Sequence, residues 1–456
     1  MFHWLTGTFA HLAVAALAVL IYVLTTRVAQ ERRAPAAAIA WVIALALLPY
    51  LALPLYLAFG RRKLTRERVH ARAIGSHPAH WAADLLVSYG LPAPAASRTR
   101  FDADGAAALA AVLALIEGAR QRLDVCSFIL GRDEIGARVL QALAAAQQRG
   151  VRVRLLLDGV GSLRADRGAL RALRRSGAQV AFFRGLLERP DGAPRNLRNH
   201  RKFAIADGER LWSGGRNLAA EYFLDRPQAP AWLDLSFTVE GPVAADAADR
   251  FERDWRKALH QPQPAPAVTE PMSALEPTTA TAQFLPSGPE LPEDSAQALL
   301  LAGGFRVRRR LLAVTPYFVP DDGLQLALKL AALRGIDVDI VLPARSNHRL
   351  ADLARRRSMR ELAAAGVRFW LHPRMLHAKA VVFDDDLAMC GSINLDLRSL
   401  FLNHEASVLF YGRDDIDWLA HWVGARREES QAYSPQPAGM GADLLEGAVR
   451  AVAFQL

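Results

Sequence analysis

"HRKFAIAD" at residues 200–207 and "HAKAVVFD" at 377–384 are one pattern written twice: histidine, any residue, lysine, four residues, aspartate. A glycine-led tetrad follows each at the same distance, "GGRN" at 214–217 and "GSIN" at 391–394, so the two copies superpose without a gap. In a strand, residues two apart share a face, so His200 lies beside Lys202 and His377 beside Lys379. Phe203 and Ile205 in one copy, Val381 and Phe383 in the other, keep the remainder of each strand apolar. Polar groups repeated on a buried strand imply partners.

The flanks of both copies alternate in type. "RLDVCSFIL", "IGARVLQALAAAQQRG" and "VRVRLLLDG" read as strand, helix and strand before the first copy; "RRLLAVTPYFV", "GLQLALKLAALRG" and "IDVDIVLP" repeat that order before the second. Alternation of this kind predicts parallel strands joined by crossover helices, hence an α/β fold of two α/β/α halves related by a pseudo-twofold axis, with the site between them. The expected divisions are 101–260 for the first half and 279–425 for the second. A Pro-rich linker at 261–278 joins the halves, a basic connector at 63–100 precedes them, and a tail at 426–456 follows. In the tail, Leu445, Val449, Val452 and Leu456 fall on one helical face, suited to a membrane surface or to packing on the α/β part of the chain.

Residues 1–62 read as a transmembrane hairpin. No charge occurs from Trp4 to Thr26 or from Ala34 to Gly60, giving expected spans of about 4–26 and 34–60, with Pro49 and Pro54 kinking the second. Both are too long for a secretory signal. Three arginines lie between Arg27 and Arg33, whereas "RRKLTRERVHAR" after the second span is denser in positive charge. The positive-inside rule therefore predicts a multi-pass protein of the inner (cytoplasmic) membrane with its larger part in the cytoplasm. The net charge of +10, from 56 Lys and Arg against 46 Asp and Glu, favours anionic partners without choosing between lipid and nucleic acid. Two cysteines, Cys126 and Cys390, offer neither a disulfide framework nor metal-ligand spacing.

Chemically, each copy sets an imidazole beside an ammonium. An imidazole attacks phosphorus or moves a proton near neutral pH, and an ammonium neutralises phosphate oxygens. The small residues of the tetrads let backbone approach an anion, and Asn217, Asn394 and the Ser392 hydroxyl are further candidate donors. Two sets suit a phosphodiester: one histidine attacks and the other protonates the leaving oxygen. No metal ion and no cofactor is expected, charge being stabilised by protein donors.

The paired HxKx4D motifs with G-[GS]-x-N resemble the phospholipase D superfamily. The N-terminal spans, "NHRKFAIADG", "TPYFVPDDGLQLALKLAALRGIDVDIVLP" and "GSINLDLRSLFLNHEASV" extend the resemblance, from about residue 8 to 425, to the bacterial cardiolipin synthases. The resemblance implies that His200 attacks one phosphatidylglycerol, that His377 protonates the departing glycerol, and that a second phosphatidylglycerol discharges the phosphohistidine to give cardiolipin. Lys202 and Lys379 would hold phosphate oxygens. Asp207 and Asp384 belong to the motif, but each ends its strand, where a structural role competes with a catalytic one. Anionic membrane lipids are the expected partners and nucleic acid is not. A hydrolase of the same superfamily, a nuclease and an inactive scaffold are the alternatives.

A working imidazole needs a carboxylate to fix its tautomer. Within each half the expected pairs are Asp234 with His200, where Glu221 competes, and Glu405 with His377. Only the second copy carries a hydroxyl, so the half-sites are expected to differ. Arg195, Arg198 and Arg201 either attract a lipid headgroup or form a solvated loop, and His348 in "PARSNHRLADLARR" is a headgroup candidate on the same terms. Trp232, Trp255 and Trp422 are expected in the core.

Overall fold

The structure, a computed structural model, describes residues 2–29, 35–60, 80–185, 196–227, 229–263 and 281–452. The first motif forms the strand Phe203–Ala206, buried throughout. It pairs antiparallel with both neighbours, Arg122–Ser127 and Arg210–Gly214. Seven strands complete this sheet in the order Arg98–Asp102, Ser236–Glu240, Arg210–Gly214, Phe203–Ala206, Arg122–Ser127, Arg152–Asp158, Gln179–Phe183. The second sheet repeats it strand for strand as Thr281–Ser287, Glu405–Phe410, Leu387–Gly391, Ala380–Phe383, Arg310–Val314, Asp337–Pro343, Arg368–His372, with Ala95–Ala96 and Gln431–Ala432 at its edges.

Parallel pairing is confined to three strands of each sheet. Their crossover helices are Glu134–Gln148, Arg167–Arg175, Asp322–Leu333 and Arg349–Ala363. Asp133, Asp166 and Asp321 start the first three by accepting backbone N–H groups of the opening turn. The motif strands themselves run antiparallel to both neighbours, because each enters a hairpin. Asp207 and Gly208 both have positive φ and Glu209 N–H donates to the Ala206 carbonyl, the geometry of a type I′ turn. Asp384, also at positive φ, occupies the matching turn.

The two halves share one core. Phe203, Ile205, Leu211 and Phe237 from the first sheet meet Phe284, Val382, Val408 and Phe410 from the second. Helix Pro242–Ala258 contributes Phe251 and Trp255, and helix Arg413–Glu428 contributes Leu419 and Trp422. A shared apolar core of this kind holds the halves as a unit. Within the stretch 63–100, residues 63–79 lie outside the description. From residue 80 on, the chain packs on the second half: Ala82 and Leu86 of helix Trp81–Ser88 join its outer core, and Trp81 Nε1 donates to Asp386. Most of the Pro-rich linker, from residue 264, is also outside the described residues.

Near the N-terminus, helix Phe2–Ala29 contains a stretch, Phe9–Thr26, long and apolar enough to cross a bilayer, alone in this among the described residues. The second apolar stretch is not one continuous helix. It breaks at Leu48 into Pro35–Leu47 and Pro49–Phe59, because a proline at 49 cannot continue the helix before it. The pieces still pack on the first helix: Tyr22 meets Tyr56 edge-on at 5.2 Å and the Thr25 and Tyr56 hydroxyls lie 2.5 Å apart. In the tail, helix Met440–Val452 lies on helix Arg349–Ala363, with Val449 against Val319 and Ala354 and Glu446 accepting from Arg360; Leu445 stays exposed and Leu456 is outside the described residues.

Candidate functional site

Two short inter-half bridges assemble the site. His200 N–H donates to the His404 carbonyl and His404 N–H to that of Arg198. In the mirrored place, His377 N–H donates to the Leu233 carbonyl and Leu233 N–H to that of Met375. Each motif histidine is thus stitched to the residue preceding the carboxylate of the opposite half. The expected pairing within halves is therefore exchanged: His200 Nδ1 lies 2.9 Å from Glu405 Oε1, and His377 Nδ1 lies 2.7 Å from Asp234 Oδ2. Glu221, half a site away on the short helical turn Ala220–Tyr222, bonds neither.

Both carboxylates are fully buried and fixed by other donors. Glu405 accepts from Ser392 Oγ at 2.5 Å, Ser399 Oγ at 3.0 Å and Asn403 Nδ2 at 3.2 Å; Asp234 accepts from the Leu235 N–H at 2.7 Å. The Gly–Ser difference between the tetrads follows. Ser392 spends its hydroxyl on Glu405 rather than offering it to a ligand, whereas a Cβ at Gly215 would sit 2.2 Å from Asp234 Oδ1. The shorter aspartate needs the glycine.

Lys202 and Lys379 are buried beside these pairs. Each ammonium donates to the carbonyl of its own motif histidine, and Lys379 Nζ also lies 2.8 Å from His377 Nδ1. Asn217 donates to the Tyr222 hydroxyl and Asn394 to Ser399 Oγ, each amide keeping a second N–H. Burial pushes His200 down to about 4 against the pull of Glu405, and His377 down to about 3, with Lys379 adding to the effect. Burial also lowers Lys202 to about 8 and Lys379 to about 7. It would raise the two carboxyls, yet His377 and Lys379 keep Asp234 below its ordinary value, and His200 and Lys202 do so for Glu405. Neutral imidazoles facing charged carboxylates donate Nδ1–H and keep a lone pair on Nε2; at His377 that nitrogen lies 3.1 Å from Lys379 Nζ.

Asp207 and Asp384 are elsewhere. Asp207 accepts from the backbone N–H groups of Arg120, Gln121 and Arg122, and Asp384 from those of Arg308, Arg309 and Arg310, at the far end of each motif strand. They tie the hairpin turn to the start of the neighbouring strand. Asp207→Ala is expected to cost about 0.5–1.5 kcal/mol of stability, the net worth of an intramolecular hydrogen bond that water can replace. Turnover per folded molecule should change less than about threefold, read by denaturant melts beside initial rates, since an off-site residue leaves the reacting geometry intact.

Arg201 is no headgroup ligand. It is wholly buried, donating to Asp254 at 2.5 Å, to Glu290 and to the Glu405 carbonyl. Asp254, Glu290 and His404 are a group among the described residues whose ligand atoms lie close enough, within 4.8 Å, to share a metal ion. The Arg201 guanidinium already bridges its two carboxylates, so the charge a cation would supply is present. Arg198 is buried as well, donating to the Arg184 carbonyl, and Arg195 is outside the described residues. His348 begins helix Arg349–Ala363 and meets the Tyr317 ring edge-on.

Aromatic walls escaped the sequence reading. Phe128 meets the His200 ring edge-on at 4.9 Å; Tyr222, Trp232 and Tyr317 surround His377 at 5.1, 5.5 and 6.4 Å. Trp255 and Trp422 are core residues as expected, while Trp232 lies against the site. A signal was present for two of the four, since Phe128 and Tyr317 fall just beyond corresponding strands, where open α/β sheets place their sites.

Comparison with known proteins bears on this arrangement. The family model described as "Cardiolipin synthase, PLD-like domain" matches residues 112–255 and 306–425, over half of the chain. The chain belongs to this family. A second model, "Phospholipase_D-nuclease N-terminal", matches residues 12–61. Cardiolipin synthase A of Pseudomonas putida (strain W619) is 33% identical over 448 residues, covering 92% of this chain and 91% of that protein. Cardiolipin synthase A of Pseudomonas aeruginosa (strain LESB58) is 32% identical, covering 91% and 88%. Phosphatidylserine synthase of Haemophilus influenzae Rd KW20 shares the fold, with a TM-score of 0.63 at 16% identity over 82% of this chain and 99% of that one.

Proposed function

We propose that the chain is a cardiolipin synthase, a phosphatidyltransferase acting on two phosphatidylglycerol molecules. The observation that carries this is the pair of buried imidazoles, each with Nδ1 on a carboxylate and an ammonium beside it, in a member of this family. His200 Nε2 attacks phosphorus, the P–O bond to glycerol breaks, and His377 delivers the proton to the departing oxygen. The phosphatidyl group is then bonded to His200. A hydroxyl of the second lipid yields its proton to His377 and attacks phosphorus; the P–N bond breaks and His200 is restored. Lys202, Lys379, Asn217 and Asn394 neutralise and hold the phosphate oxygens. Free His377 is neutral, and the arriving phosphodiester anion raises its affinity for the proton it must give.

The further assignments go with this reading. Both apolar N-terminal segments cross the inner membrane with the two halves in the cytoplasm, supported by the basic flank at 61–72 and by packing of the broken second segment on the first. The halves span about 101–260 and 279–425.

Purified protein incubated with labelled phosphatidylglycerol should yield cardiolipin and glycerol. Phosphatidic acid alone would make it a hydrolase, and unchanged lipid would overturn both readings. As pH falls towards about 4, protonation removes the His200 lone pair; as it rises through about 7 and then 8, Lys379 and Lys202 lose the protons that neutralise phosphate. A kcat/KM profile should therefore fall on both sides, and Lys379→Arg should move the alkaline limb upward because a guanidinium stays charged. A profile flat to pH 9 would contradict this.

A further inference from the structure

The parallel strands Arg152–Asp158 and Asp337–Pro343 occupy equivalent positions in the two sheets, and the segments that leave their C-terminal ends each expose leucine and arginine. The first, 159–165, exposes Val160 and Leu163 beside Arg164; the second, 344–350, which runs into the first residues of helix Arg349–Ala363, exposes Arg345, Arg349 and Leu350. Leu163 and Leu350 are 50% and 52% exposed, which burial in a shared core would not allow. Among the described residues no ion pair or hydrogen bond of its side chain holds Arg164, Arg345 or Arg349.

Each loop is also attached to one motif histidine through a single aromatic residue. Ser162 Oγ donates to the Phe128 carbonyl and accepts from the Leu130 N–H, and Phe128 lies on His200. In the second half, the Tyr317 hydroxyl donates to Asn347 Oδ1 at 2.7 Å, and Tyr317 lies on His377. The two loops therefore border the two sides of the site, one residue layer from the imidazoles.

We infer that the loops 159–165 and 344–350 form a rim that seats the site on an anionic phospholipid bilayer, the leucines entering the acyl boundary and the arginines meeting headgroup phosphates. This deepens the proposed function, resting on its reading of the substrate as a bilayer lipid. The physical case is complementarity: apolar side chains flanked by uncompensated cations match an anionic interface and match neither water nor a dry protein surface. The chain itself carries a helix able to cross a bilayer, so such a surface is at hand. Seating the rim lets a lipid reach the histidines while its chains stay in an apolar phase, avoiding their transfer through water.

The native cysteines, Cys126 and Cys390, are buried, so an environment-sensitive fluorophore can be placed selectively on Leu163→Cys or Leu350→Cys in the full chain. Gln121→Cys, exposed at the opposite end of a site strand, is the control. In single-copy nanodiscs containing phosphatidylglycerol, emission at both rim positions should shift to the blue and be quenched at least about twofold by spin-labelled lipid, more than in discs of phosphatidylcholine alone. Water-like emission, quenching no stronger than at Gln121→Cys, or a shift seen only when concentrated detergent-solubilised copies meet would overturn the inference, the last by pointing to a second copy. The readout requires no turnover. Failure of the cardiolipin assay with quenching intact would strike the substrate reading alone, and the reverse would strike the rim alone.

Discussion

His200→Ala is expected to leave no measurable cardiolipin formation, a loss of at least about 10⁴-fold, because no other lone pair in the site replaces the one that forms the P–N bond. His377→Ala should lose about 10²–10⁴-fold, the usual worth of a positioned acid and base. The two losses differ in kind. A phosphatidyl ester of p-nitrophenol needs no proton for its leaving group to depart, so His377→Ala should release nitrophenol from it at a rate close to the parent's, and His200→Ala should not. Stopped-flow absorbance reads the distinction. Equal failure of both variants on the activated ester would assign them one role and contradict the division of labour.

The second large effect concerns the exchanged carboxylates. Asp234→Asn should damage His377 chemistry and Glu405→Gln should damage His200 chemistry, each by about 10²–10⁴-fold, because an amide can present N–H to Nδ1 and favour the wrong tautomer. Double-mutant cycles locate the partners. Read on the free energy of unfolding, Asp234 with His377, and Glu405 with His200, should be strongly non-additive, whereas Asp234 with His200 should approach additivity. On the activated ester, Asp234→Asn should recover like His377→Ala and Glu405→Gln should not. The opposite pattern would restore the pairing within halves.

That exchange marks where sequence reasoning stopped. The HxK repeat was legible because a period of two is local, and the same locality made the strand and helix order readable on both sides of it. Repeats, however, relate one half to the other and suggest that each is complete. Nothing local in "WLDLSF" or "NHEASV" shows that Leu233 will pair with Leu376, or Asn199 with His404, across the interface. Those two bridges alone decide which imidazole each carboxylate meets.

Other differences have similar causes. The Asp207-Gly208 dipeptide is a hairpin signal, and given its full weight it places the motif aspartate in a turn. Pro49 ends a helix outright instead of bending it, since a residue one turn earlier loses its partner and the residue before proline is steered from helical backbone. Arg201 reads as surface charge until Asp254 and Glu290, both distant in sequence, are brought to it by helix Pro242–Ala258 and the loop after Thr281–Ser287.

In the proposed mechanism two half-sites act as one, with His200 carrying the phosphatidyl group and His377 moving protons. Rapid acid-free quenching of the enzyme with phosphatidylglycerol, followed by peptide mass spectrometry, tests it most directly. A phosphatidyl adduct is expected on the peptide containing His200, absent from His200→Ala, and accumulating in His377→Ala when the activated ester supplies the group. An adduct on the peptide containing His377, or unimpaired cardiolipin formation by His200→Ala, would contradict it.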